Sequence, residues 1–265
     1  MIKLVASDLD GTLLAPDGSL PEGIFQAIRK LHTKGIAFVP ASGRQLAALE
    51  QMFGPVLDDI LLLAENGAIV SHGRQLLYCE GIPREDVFTA LRAAEKIPST
   101  YPLLCTPECA YYERGDETFL SYVKASYVCN AQASLDRIAQ SETVCKIAVF
   151  DALGPENNAM KKLPQALTHL RVIQSGGDWL DISAKTTDKG RAMRFIQKRL
   201  SLSPEECAAF GDHMNDYEML LACGHSYVTE NGYPPLRSAI GRTIPSNAEN
   251  GVLQALHAIA DGRLP

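Results

Sequence analysis

The chain has 265 residues, 46% of them hydrophobic, and a formal net charge of -6. That length holds one large domain or two modest ones with a real core, and the acidic balance argues against nucleic-acid binding, which needs basic patches. Acid enters as early as Asp8 and no stretch nears the roughly 18 apolar residues of a membrane span, so neither a secretory leader nor a membrane is expected and a cytoplasmic chain is.

In chain order, "IKLVASD" reads as a buried strand: short, apolar and β-branched. "PEGIFQAIRKLHTKG" reads as a helix, with Pro21 near its first turn and Gly35 past its end. Ile24, Ala27, Ile28 and Leu31 share one face of it. "IAFVPASG" is strand-like and is expected to end at Pro40, a poor ladder residue. A helix is expected around Gln45–Phe53, then a strand in "DILLLAENGAIV" that turns at Asn66-Gly67. Residues 82 to 185 break the alternation. They hold a helix "REDVFTALRAAEK", strands "KIAVFDA" and "LRVIQSGGDWLDIS", and many aromatics with fewer interposed helices. That mixture suggests an inserted α+β module. From "DKGRAMRFIQKRLSL" onward helix and strand alternate again, through "ECAAFGD", "NDYEMLLACG", "HSYVT", "PPLRSAI", "RTIP" and "GVLQALHAIADG". The fold class expected is α/β: a doubly wound, Rossmann-like parallel sheet core from residues 1–81 and 186–265, with an inserted domain at 82–185. The seven cysteines are odd in number and include no CxxC pair, so buried thiols are expected rather than a zinc site or a disulfide framework.

In an open α/β sheet, ligands bind beyond the carboxyl ends of the strands. Asp8 and Asp10 end the first strand, Ser42, Gly43 and Arg44 the second, and Asp212 a late one, with Asn215 and Asp216 opening the next helix and Lys189 starting the helix before it. Far-apart segments would thus bring carboxylates, a lysine and a hydroxyl to one edge. Two like charges about 4 Å apart repel by about 4 kcal/mol at an effective dielectric of 20, so a cation is expected. Oxygen ligands without clustered His or Cys favour Mg²⁺, which commonly shares a phosphate oxygen. A calcium-binding EF-hand is excluded, because Ser19 and not Glu stands at position 12 from Asp8.

The segments "DLDGTLL", "ASGR", "AENGA", "DKG", "GDHMNDYEML" and "NGV", spread over nearly the whole chain, resemble the haloacid dehalogenase superfamily of phosphohydrolases, in its Cof-type (IIB) branch. The resemblance implies that the insertion is an α/β cap that chooses the substrate, and that the chain hydrolyses small phosphate monoesters such as sugar phosphates or pyridoxal phosphate with Mg²⁺ as cofactor. It implies Asp8 as nucleophile, already ionised at neutral pH with its unperturbed pKa near 3.9, Asp10 as general acid and base, and Lys189 as the group that offsets charge and holds Asp8. Leu9, Ser42, Gly43, Lys189 and Asn215 would hold the phosphoryl group. Asp8, the Asp10 main-chain carbonyl, Asp212 and Asp216 would serve the metal. Arg44, Asn66, Gly67 and Trp179 are candidates for substrate contact. Two stretches depart from the family pattern: His213 stands where Asn or Gly is frequent, and "TENGYPPL" is looser than the usual stretch there. A phosphomutase or phosphotransferase of the same superfamily, or a non-catalytic phosphometabolite sensor, is the alternative. The expected partner is a small phosphorylated metabolite, with a monomer or homodimer as assembly.

Overall fold

A computed structural model describes all residues, Met1–Pro265. In chain order the first part comprises β1 (Leu4–Asp8), α1 (Ile24–Thr33), β2 (Ala37–Ala41), α2 (Leu46–Met52), β3 (Leu61–Ala64), β4 (Ile69–His72) and β5 (Gln75–Cys79). The middle comprises α3 (Arg84–Glu95), β6 (Thr100–Cys105), β7 (Ala110–Tyr112), α4 (Glu117–Ser126), β8 (Asn130–Gln132), α5 (Leu135–Ser141), β9 (Lys146–Asp151), α6 (Leu163–Ala166), β10 (Leu170–Gly176) and β11 (Trp179–Ala184). The last part comprises α7 (Lys189–Leu200), β12 (Cys207–Gly211), α8 (Tyr217–Leu221), β13 (His225–Thr229), α9 (Pro234–Ile240), β14 (Thr243–Ile244) and α10 (Gly251–Ala260). Two compact units result: Met1–Arg44, Leu49–Tyr78 and Asp188–Pro265 form the core, and Gln45–Ala48 with Cys79–Thr187 form the cap.

The core is an eight-stranded sheet ordered β14-β13-β12-β1-β2-β3-β4-β5, parallel from β14 through β3. All five residues of β1 are buried, as a central parallel strand requires when both of its faces are covered. Chain order runs outward from β1 through β2 and β3, then resumes at β12 on the other side of β1. That reversal is a topological switch point, and it groups the carboxyl ends of β1, β2 and β12.

Two local expectations are corrected. The first helix begins at Ile24 with Gly23 as its cap, so Pro21 lies ahead of it rather than in its first turn. Pro40 does not end β2, which runs through it to Ala41. Ala37 donates to Lys3 on the β1 side and Ser42 to Leu63 on the β3 side, so the Pro40 nitrogen faces β3, where pairing starts only at Ala41. The missing N–H therefore costs the ladder no bond.

The cap is a six-stranded sheet, β10-β11-β9-β6-β7-β8, antiparallel except for β7 with β8. Side chains alternate along β9: Ile147 and Val149 pack against Val87 and Leu91 of α3 and Ile138 of α5, while Ala148 and Phe150 pack with Phe119 and Val123 of α4. Cys109 and Cys129 form a disulfide, against the expectation that all cysteines are free. They directly precede β7 and β8, whose pairing of Ala110 with Asn130 brings their Cα atoms to 5.0 Å. The Gln45 side chain clamps the same point, donating to the Cys129 carbonyl at 2.7 Å and accepting from its N–H at 3.0 Å. No helix is long and apolar enough to cross a membrane.

Candidate active site

Asp8 is the last residue of β1, and its carboxylate is buried. The chain then turns sharply through Leu9–Leu13, with Gly11 at φ +81°. A Cβ at Gly11 would also come within 2.3 Å of Asp212 Oδ2, so glycine is needed for both the dihedral and the close approach. Thr12 donates to Asp212 Oδ1 at 3.3 Å and ties this turn to the end of β12.

Lys189, the first residue of α7, is 1% exposed. Its ammonium donates to Asp8 Oδ1 at 2.5 Å and to Asp216 Oδ1 at 2.7 Å. Asp216, fully buried, also accepts from the N–H groups of Asp212 at 3.0 Å and His213 at 3.1 Å through Oδ2. It therefore shapes the turn after β12 as well as pairing with the lysine. Ligand oxygens of Asp8, Asp212 and Asp216 lie within 4.8 Å of one another.

Three carboxylates cluster around one ammonium, so with all three ionised the cluster would carry two negative charges in excess. Burial, and then repulsion from Asp216, push Asp8 up to about 8 despite Lys189. Burial and Asp216 likewise raise Asp212 to about 6. Burial alone would lower Lys189, but Asp216 and Asp8 outweigh it and hold the ammonium above the usual lysine range. Hence Asp8 is not ionised at neutral pH by its intrinsic acidity, as its unperturbed value suggests; it needs added positive charge. The donors are hard oxygens with no His or Cys among them, a set that fits Mg²⁺.

Asp10 stands apart from this trio. Its exposed carboxylate receives a two-pronged bond from Arg44, Nε at 3.0 Å and Nη2 at 2.5 Å. Ser42 is buried at the end of β2, and its hydroxyl accepts from the Arg44 N–H at 3.2 Å. The loop Ser42–Arg44 is stapled to the β3–β4 turn, where the Asn66 N–H donates to the Ser42 carbonyl and the Glu65 N–H to that of Arg44. The Asn66 carboxamide lies over Gly43, where a Cβ would meet its nitrogen at 2.8 Å. Gly67 closes that turn at φ +100°. Leu9 is buried in the turn after Asp8, and Asn215 is half-buried between Met214 and Asp216.

Trp179 belongs to the other unit, where its ring packs 5.3 Å from Phe150 and 5.8 Å from Tyr127. Sequence reasoning left Asn231 out. Its side chain donates to the Gly11 carbonyl at 2.8 Å and accepts from the Asn247 N–H at 3.0 Å, bracing the turn that follows Asp8. The available signal was "TENGYPPL" itself, which looked only like a loose match.

A family profile for haloacid dehalogenase-like hydrolases matches residues 5–256. The chain is 28% identical to the Escherichia coli 5-amino-6-(5-phospho-D-ribitylamino)uracil phosphatase YbjI, over 100% of this chain and 98% of that one. It is 29% identical to the HMP-PP phosphatase of Cronobacter sakazakii, over 89% and 87%. The solved structure of a HAD subclass IIB sugar phosphatase, BT4131, superposes over 97% of this chain and 98% of that one, with a TM-score of 0.81 at 20% identity, a likeness of fold. With strand-end acids, lysine and an inserted second unit all present, the chain belongs to the haloacid dehalogenase-like hydrolases and is a phosphatase.

Proposed function

We propose that the chain hydrolyses phosphate monoesters of small metabolites through an aspartyl-phosphate on Asp8, with Mg²⁺ held by Asp8, Asp212 and Asp216. The observation that carries this reading is the charge excess of the buried cluster beside an unburied second acid, Asp10. A structural ion-pair network would balance its charges; this one is short of positive charge, which a divalent cation would supply. Bound there, the divalent cation supplies charge that offsets the phosphoryl oxygens and keeps Asp8 ionised.

The Asp8 carboxylate attacks phosphorus, the bond from phosphorus to the ester oxygen breaks, and the Asp10 carboxyl gives its proton to the departing alkoxide. Water then attacks the phosphorus of the acyl phosphate while Asp10 takes a proton back, releasing inorganic phosphate and restoring Asp8. Because Ser42 accepts from Arg44, its own hydroxyl proton is available to a phosphoryl oxygen. Backbone groups at Leu9 and Gly43 and the Asn215 carboxamide complete the phosphoryl cradle. Arg44, already on Asp10, and the Asn66-Gly67 turn flank the leaving group. One relative is named for a phosphorylated ribitylaminouracil and another for HMP-PP, so phosphate esters of heterocyclic alcohols and of sugars are the substrates to try.

The test is inorganic phosphate release from a panel of pyridoxal, flavin, pyrimidine and sugar phosphates, with and without Mg²⁺, with Asp8→Asn as the blank. Metal-dependent release from at least one ester is expected. Release from none, with para-nitrophenyl phosphate also inert, contradicts the reading and favours a sensor.

A further inference from the structure

The two stretches that depart from the family pattern meet in space. The rings of His213 and Tyr233 lie 5.2 Å apart at 43°, and both are exposed, Tyr233 to 44%. Met214, next to His213 in the chain, is 45% exposed. Large apolar side chains left in water beside a catalytic cluster contribute nothing to the core, whose buried residues do not include them.

They are also held in place. Tyr233 donates its N–H to the Asp212 carbonyl at 2.7 Å, and His213 donates its N–H to Asp216 at 3.1 Å. A Cβ at Gly232 would come within 2.9 Å of the Thr229 carbonyl and 3.1 Å of the Asp212 carbonyl, so glycine is what lets this segment close on Asp212. Thr229 and Asn231 both donate to the Gly11 carbonyl, at 3.3 and 2.8 Å, which fastens the segment to the turn after Asp8 as well. Pro234 and Pro235 follow Tyr233 at once and restrict its backbone. The segment is thus a rigid ledge fixed to both loops that carry the catalytic acids.

We propose that His213, Met214 and Tyr233 form a stacking ledge that selects phosphate esters whose leaving group carries a planar nitrogen heterocycle. This rests on the phosphatase reading and narrows its substrate class. Two aromatic faces and a polarisable thioether suit a flat π-system, which stacks with little directional demand. A hexose would instead ask for several hydrogen-bonding groups, and the ledge offers only the His213 ring nitrogens and the phenol. A phosphate anchored at Asp8 delivers the rest of the molecule to the rim, so stacking there adds affinity without touching the chemistry.

The experiment compares kcat and KM for pyridoxal phosphate and a hexose phosphate in the wild type and in Tyr233→Leu, Tyr233→Trp and His213→Asn. Losing one stacking ring is expected to raise KM for pyridoxal phosphate about tenfold in Tyr233→Leu, with kcat little changed. The preference for the heterocyclic ester over the hexose ester falls by the same factor. Tyr233→Trp keeps that preference, and His213→Asn loses part of it. Equal losses on both esters, an unchanged preference, or a wild type that prefers the hexose ester overturns the ledge. If Tyr233→Leu fails to fold by circular dichroism, His213→Asn carries the same comparison. A wild type inert on every ester overturns the phosphatase reading itself, whereas an active enzyme with an unaltered preference overturns only the ledge.

Discussion

Lys189 in the core and Lys146 in the cap are both buried lysines, 1% and 5% exposed, yet their surroundings differ in kind. Lys146 pairs with the Asp181 carboxylate at 3.6 Å, with its ammonium 5.8 Å from the centre of the Tyr127 ring. Lys189 bonds two carboxylates, and a third, Asp212, completes the trio around it. Lys146 and Asp181 are matched one to one. The core cluster is short of positive charge: burial first, and then repulsion from Asp216, raise Asp8 and Asp212. Buried charge is therefore informative about chemistry when it does not balance, and mostly about structure when it does.

Neutralising one partner in each place breaks the comparison most sharply. Asp8→Asn should lower turnover on the order of a thousandfold or more, because the nucleophile is gone. In metal-free protein above about pH 8, where Asp8 loses its proton, the same change should raise the thermal midpoint, since it removes one surplus charge and keeps an acceptor for Lys189. Lys146→Met should do the opposite, costing about 3–5 kcal/mol in denaturant unfolding by stranding Asp181. The double variant Lys146→Met/Asp181→Leu should recover most of that loss. A stabilised Lys146→Met or a metal-free Asp8→Asn destabilised in that pH range would erase the distinction.

The constraint from Cys109–Cys129 is uncharged and should act on the cap alone. Removing it with Cys109→Ser should cost about 3 kcal/mol for a closed loop of 20 residues, read as earlier unfolding. Smaller per step is the pH slope of metal-free stability. With Asp8 at about 8 when folded and near 3.8 when unfolded, the native state binds more protons between those values. Stability should therefore fall as pH rises from about 4 to about 8, by at most about 1.4 kcal/mol per unit for this one group, and Mg²⁺ should flatten the slope.

The core was legible because its candidate site residues sit at the ends of apolar runs, where Asp8 closes, and Ser42 and Asp212 follow, strands that the residue pattern already marks. The cluster's imbalance was legible in outline, but the second role of Asp216, accepting two backbone N–H groups, depends on a turn that spacing does not define. The cap was harder. Its pairing of Cys109 with Cys129 and of Lys146 with Asp181 depends on strand neighbours far apart in sequence, which no local pattern specifies. Helix α4 was hidden among aromatics, although Phe119, Val123 and Tyr127 recur at helical spacing and are all buried. His213 and Tyr233 were visible only as mismatches to a family pattern, and their contact needs the fold.

The most direct test of the central claim is calorimetric titration of Mg²⁺ into metal-free protein at neutral pH, in two buffers of different ionisation enthalpy. The account expects one binding site with proton release, because the cation displaces the proton that the crowded Asp8, Asp212 and Asp216 cluster retains, and it expects Asp8→Asn to weaken binding and abolish the release. Failure to bind, or binding with no proton released and no dependence on Asp8, would contradict it.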